Sequence, residues 1–291
     1  MIYIIDYAII QRVNQFQKVF KWGRKEVVIM EYNYHTHTYR CGHASGREEE
    51  YIERAIACGV KHMGFSDHMP YICSDGYESA YRVPVRDAKE YVSTISSLRE
   101  KYKDKIDIKI GFEMEYYPAN YSDMLKNAIE YGAQYLILGQ HFLKEEHPDV
   151  IYTYAETDSV DRLKEYVSCL VAGIKSGSFT YVAHPDLLNF TGDMTIYRDE
   201  MRKVCVAART YNIPLEINFL GIRDKRRYPN ETFWEVAGEE KSPVTFGFDA
   251  HDPLSAFDGA SLVTAEKLVE KYELNYIGEP ELKDLTVKDS I

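Results

Sequence analysis

Residues 27–37 read VVIMEYNYHTH, a β-rich run that ends in two histidines one residue apart. Branched and aromatic side chains dominate Val27–Tyr34, which predicts a strand. Side chains alternate along a strand, so His35 and His37 point the same way and both imidazoles can converge on one ion. The sequence then changes period. Ser45-Gly46-Arg47-Glu48 has the form of a capping box, and Tyr51, Ile52, Ala55 and Ile56 continue at helical spacing.

This strand-then-helix unit recurs along the chain. Strands are predicted at His62–Phe65, Ile106–Glu113, Tyr135–Gly139, Phe179–Ala183, Pro214–Asn218 and Val244–Phe248, each followed by a helical run. Val160, Leu163, Val167, Leu170, Val171 and Ile174 give one such helix an apolar stripe. Leu254–Tyr272 supplies the last helix, and Leu274–Gly278 adds a strand or closes the end. Alternating β and α implies a parallel sheet with helices outside it. Seven repeats suit a barrel better than an open doubly wound sheet. Neither a GxGxxG after the first strand nor a GxxxxGK[ST] loop is present, so the nucleotide-fold signals are missing.

Composition narrows the function. The 291 residues are 45% apolar and 28% charged, with 17 Gly and 10 Pro, which excludes a collagenous chain and permits a sizeable core. The 25 tyrosines imply generous half-buried surface. A net charge of −11 is the wrong sign for a general nucleic-acid binder. Five cysteines without a CxxC pair fit a reducing compartment rather than a disulfide scaffold, and no apolar run suggests a membrane span. A soluble cytoplasmic protein is expected. Residues 1–29 stand apart as a basic extension with Ile9, Val13, Phe16 and Phe20 at helical spacing, leaving 30–291 as a single barrel domain.

Seven of the nine histidines fall at or just past the C-terminal end of a predicted strand: His35, His37, His43, His68, His141, His184 and His251. That face carries the chemistry of β/α barrels. Asp249-Ala250-His251 repeats the geometry of the first pair on the last strand, which neighbours the first in a closed barrel. Glu113 ends its strand and has two oxygens with which to bridge two cations. Glu115, on the same face, is expected to be a solvated rim charge. Asp67 should point away or hold an imidazole from behind, and Cys41 should be a small buried neighbour. Seven histidines, Asp249 and Glu113 are too many ligands for one ion, because zinc takes about four. Two or three divalent ions fit better, and so positive a site suits an anionic phosphoester.

The ordered set HxH, a histidine six residues beyond, SDH, GFE, GQH, AHPD and DAH resembles the PHP superfamily (polymerase and histidinol phosphatase). The stretches CGHASGREEEYIERAIACGV, GQHFL and FGFDAHDP look most like its histidinol-phosphatase branch. The resemblance implies a distorted (β/α)7 TIM-like barrel and two to three Zn, Mn or Fe ions. One ion would take His35, His37, Glu113 and Asp249; a second, His43, His68 and His251; a third, Glu113, His141 and His184. It further implies hydrolysis of a small phosphomonoester, L-histidinol phosphate, in histidine biosynthesis. The alternatives are a PHP phosphoesterase for a phosphotyrosine protein, nucleotide or sugar phosphate, and a metal-binding regulatory protein. Glu113, Asp249 and His251 would serve catalysis as well as binding. The loop Phe219–Arg227 follows a strand aimed at the same mouth, which makes Arg223 the expected phosphate clamp.

Overall fold

The computed structural model describes residues 30–285, together with the backbone of Phe20–Trp22 (β1) and Lys25–Val27 (β2). β1 and β2 pair antiparallel, and the amphipathic helix expected over 1–29 otherwise lies outside the described residues. Strands β3 (Tyr32–Asn33), β4 (His62–His68), β5 (Asp107–Met114) and β6 (Tyr135–Leu138) form one parallel sheet in sequence order. β7 (Leu215–Asn218), β8 (Pro243–Gly247) and β9 (Asn275–Tyr276) form another.

The two sheets are stitched together by single bridges. Val182 bridges both Leu138 and Leu215, and the segment expected as a strand at Phe179–Ala183 joins the two sheets: Thr180 N–H donates to Leu136, Leu138 N–H to Tyr181 and Ala183 N–H to Leu138 on one side, and Val182 N–H to Pro214 and Glu216 N–H to Val182 on the other. At the other edge Thr36 bridges Ala250: His37 N–H donates to the Ala250 carbonyl at 2.9 Å, and Ala250 N–H to that of His35 at 3.2 Å. The result is a curled parallel sheet in which the chain just past β3 lies beside the chain just past β8. Strands follow one another without the reversal of a doubly wound sheet.

Helices lie between the strands: α1 (Glu48–Ala57), α2 (Ala88–Tyr102), α3 (Tyr121–Tyr131), α4 (Val160–Ser176), α5 (Met194–Tyr211), α6 (Phe219–Arg223), α7 (Glu231–Glu239) and α8 (Gly259–Lys271). The predicted capping box is shifted. α1 starts after Arg47, whose N–H donates to the Glu50 carboxylate at 2.6 Å, so Ser45 precedes the cap. The run expected as one helix over Leu254–Tyr272 is broken, because Asp252 caps a short turn at Pro253–Ala256 and Asp258 caps α8 afresh. Among the described residues no helix is long and apolar enough to cross a membrane.

Tyrosine is used differently from expectation. Tyr51, Tyr91, Tyr135, Tyr166, Tyr181 and Tyr197 are fully buried. Tyr34 packs on Tyr32 and Tyr135, and Tyr135 OH donates to the Tyr34 carbonyl at 2.8 Å. A Cβ at Gly64 or Gly111 would overlap the Tyr135 ring, so these strands give up side chains to admit it. Burying a hydroxyl without a partner is costly, and here the backbone supplies one.

Candidate metal centre

All seven strand-end histidines meet at one mouth. Ring centroids of His37 and His251 lie 4.2 Å apart, His37 and His68 4.5 Å, His43 and His251 4.9 Å. His141 stands 4.9 Å from both His68 and His184, and His35 5.2 Å from His37. Sheet register does this: β4 and β5 pair His68 with Glu113, and the Thr36–Ala250 bridge sets the two flanking pairs side by side. The remaining histidines are elsewhere, His62 against Glu279 and His147 between Asp75 and Asp149.

At the centre, four atoms form a cage. His35 Nε2 lies 3.5 Å from both Glu113 Oε2 and Asp249 Oδ1; His37 Nε2 lies 3.5 Å and 3.3 Å from the same two oxygens. A tetrahedral ion with bonds of about 2.0–2.2 Å separates its ligand atoms by about 3.3–3.6 Å. His35 Nε2, His37 Nε2, Asp249 Oδ1 and both Glu113 oxygens have no hydrogen bond among the described residues. Buried polar atoms are nearly always paired, so these fit a divalent metal. Glu113 turns its second oxygen the other way, 2.9 Å from His184 Nε2 and 3.5 Å from His141 Nε2. A Cβ on Gly139 would overlap this carboxylate.

Outer acceptors set the imidazoles. Nδ1 of His35 meets Glu216 at 2.8 Å, that of His141 meets Glu115 at 3.1 Å, and that of His43 meets the Cys41 carbonyl at 2.8 Å. Each bond leaves Nε2 for the interior. Burial disfavours charge throughout. For His68 and His251 burial wins, helped by neighbouring His37, and His251 falls to about 3, leaving neutral rings with a lone pair to offer. For His35 burial is outweighed by Glu216, Asp249 and Glu113, which raise it to about 10. Burial likewise fails to neutralise Glu113 and Asp249, which surrounding imidazoles hold well below the usual carboxylate range. The same field favours a cation. His184 and Asp249 both adopt left-handed backbone, with φ of 31° and 47°, a strain often found where side chains serve a site.

Comparison with known proteins decides the family. The PHP domain profile matches residues 33–219, more than half of the chain. The chain belongs to the PHP domain family. The PHP match spans His35 to His184; Asp249 and His251 lie beyond it and are brought beside His35 and His37 by the Thr36–Ala250 bridge. The chain is 27% identical to a Deinococcus radiodurans protein named "Probable histidinol-phosphatase", over 75% of this chain and 85% of that one. It is 25% identical to the histidinol-phosphatase of Bacillus subtilis, over 75% and 92%. Its fold is similar to the Lactococcus lactis histidinol phosphate phosphatase solved with zinc, L-histidinol and phosphate, with a TM-score of 0.66, 20% identity, and coverage of 86% and 96%.

Two expectations within this PHP site need correction. Glu115 is not a solvated rim charge: it is 1% exposed and takes a two-pronged bond from Arg82, both contacts 2.9 Å. Arg82 Nε also donates to Glu146 at 2.7 Å, so one buried guanidinium holds two carboxylates and, through Glu115, His141. Arg82→Met should strand both charges in the interior, at a cost of about 3–5 kcal/mol, and lower the thermal midpoint by on the order of 10 °C. An unchanged melting curve would show that the pair tolerates its loss.

Arg223 is also elsewhere. Asn218 caps α6, and the helical turn swings Arg223 toward Asp258, which it meets at 3.1 Å, and toward the carbonyls of Phe248 and Asp249. Arg226 lines the cavity instead, held by Tyr228 OH at 3.1 Å and Asp224 at 3.2 Å. That cavity, about 630 Å³, has Tyr81, Phe142, Tyr152 and Tyr228 as aromatic walls. Asp67 lies behind the centre, 3.4 Å from His37 Nδ1 but without a hydrogen bond to it, and accepts from Thr38 N–H at 3.1 Å. Cys41 is buried, its thiol donating to the Thr38 carbonyl at 3.1 Å.

Proposed function

We propose that this protein is a metal-dependent phosphomonoesterase that hydrolyses L-histidinol phosphate to L-histidinol and phosphate. The cage of His35, His37, Glu113 and Asp249 at the foot of a cavity flanked by Arg226 carries the proposal. The named activity of the PHP relatives supports the substrate. His43, His68, His141, His184 and His251 complete the donor set for two or three divalent ions, and the zinc bound by the Lactococcus lactis protein supports that metal class. When bound, divalent cations supply Lewis-acid polarisation of the phosphoryl group and acidify water to a nucleophile at neutral pH.

The chain's own residues do the rest. Glu113 and Asp249 stay ionised and would hold the ions, and the outward hydrogen bonds of His35, His43 and His141 turn their Nε2 atoms toward the centre. Arg226 offers a planar fork to two phosphoryl oxygens, with its orientation fixed by Tyr228 and Asp224. Phe142, Tyr152 and Tyr228 offer flat apolar faces to the ring of the leaving alcohol. A concave cavity of this size suits a small molecule rather than a folded protein substrate.

Arg226→Lys keeps the charge and loses the fork. It should reduce kcat/KM by about 10- to 150-fold, the worth of one charge-assisted bond, with metal content unchanged. Arg223→Lys should spare kcat/KM. The reverse pattern would return the clamp to Arg223. We further read the sheet as a seven-unit barrel closed between its first and last strands, residues 30–291 as the catalytic unit, and the cytoplasm as its compartment, which five free cysteines suit. A chain starting at Met30 should therefore keep its kcat/KM. Phosphate release from a panel of phosphomonoesters with added Zn²⁺ or Mn²⁺ tests the function; preference for a nucleotide, sugar phosphate or phosphotyrosine over L-histidinol phosphate would replace the substrate.

A further inference from the structure

Glu216 sits within β7, fully buried, and lines no part of the cavity. Its carboxylate nevertheless gathers three donors from the centre. Oε1 accepts from His35 Nδ1 at 2.8 Å; Oε2 accepts from the His184 main-chain N–H at 3.0 Å and from Asn218 Nδ2 at 2.8 Å. Asn218 carries the connection onward, because Nδ2 also donates to Asp249 Oδ2 at 3.0 Å. The neighbouring strand makes room with Gly247, where a Cβ would overlap the Glu216 carboxylate.

We propose that Glu216 is a positioning residue that fixes His35 as the tautomer presenting Nε2 to the cage and ties His184 and Asp249 to the same frame. The inference rests on the metal-centre reading above. Three donors converge on two oxygens, so the group between them must be acceptor-only. Glutamine cannot serve in either orientation. With its oxygen toward His35, its NH2 faces the N–H of His184 and the amide of Asn218. With its oxygen toward those two, its NH2 faces His35 Nδ1, which must then accept and move its proton to Nε2. A protonated Nε2 cannot bind metal. An outer partner of this kind typically changes metal affinity by about 10- to 100-fold.

The test is a competition titration of Zn²⁺ against a chromophoric chelator, with the absorption spectrum of the Co²⁺-loaded protein as second readout. Glu216→Gln should weaken zinc binding by about 10- to 100-fold at the site of His35, with a smaller loss at the site of His184, and change the Co²⁺ spectrum. Glu216→Asp, which keeps both acceptor oxygens, should recover part of the affinity. Gly247→Ala crowds the same carboxylate without altering it and should weaken the same site, so it decides the matter if Glu216→Gln fails to fold. In the unmutated zinc-loaded protein, ¹⁵N NMR should find the His35 proton on Nδ1. A His35 proton on Nε2, or variants with wild-type zinc affinity and Co²⁺ spectrum, would overturn the proposal. Unmutated protein that binds no zinc would instead overturn the metal-centre reading, and this proposal with it.

Discussion

Glu113→Gln should leave the protein folded and nearly inactive, with kcat/KM lower by about 10³-fold, some 4 kcal/mol of transition-state stabilisation. The side chain keeps its shape, so the pocket opposite Gly139 stays filled. The change is in what the two oxygens face. Oε2 lies 3.5 Å from His35 Nε2 and His37 Nε2 and 3.3 Å from His68 Nδ1, while Oε1 lies 2.9 Å from His184 Nε2. The carboxylate therefore stands between two groups of imidazoles. An amide removes its charge and replaces one oxygen with NH2, a donor that cannot bind a cation. His184→Ala deletes a single imidazole on one side and should cost less. Metal content and kcat/KM measured on both variants check the bridge; equal losses would count against it.

His37→Ala should lose at least one equivalent of metal and about 10²- to 10³-fold in kcat/KM. Its Nε2 is a corner of the central cage, 3.3 Å from Asp249 Oδ1. Its ring also packs within 4.5 Å of those of His68 and His251, so it stands between the first and second groups of expected ligands. Alanine supplies no donor atom and leaves Asp67 with its bonds from Thr38 and the His68 main-chain N–H. Elemental analysis of the purified variant, followed by assay with excess Zn²⁺, separates lost affinity from lost chemistry. Full metal content with wild-type turnover would remove His37 from the centre.

The parts of this site that the sequence made legible are those governed by period. Alternation along a strand put His35 beside His37 and Asp249 beside His251, and the repeated strand–helix unit put both pairs at one end of the sheet. Period says which face a residue takes and nothing about what covers it. Alternation places Glu115 on the face of Glu113, but its burial depends on Arg82, which arrives from a separate loop 33 residues earlier in the chain. Glu216 was visible as a strand residue, while its grip on His35 spans 181 residues and is set by tertiary register. Arg223 ends the helical turn that Asn218 caps and Arg226 lies just beyond it; a loop read as irregular cannot say which arginine faces inward.

The most direct test of the central claim is phosphate release from L-histidinol phosphate, followed on one preparation before chelation, after it, and after return of Zn²⁺ or Mn²⁺, with bound metal counted at each stage. The cage of histidines and carboxylates predicts turnover with two to three equivalents of divalent metal, its loss when the metal is stripped, and its recovery on reloading. Turnover that persists in protein shown to carry no metal would contradict it.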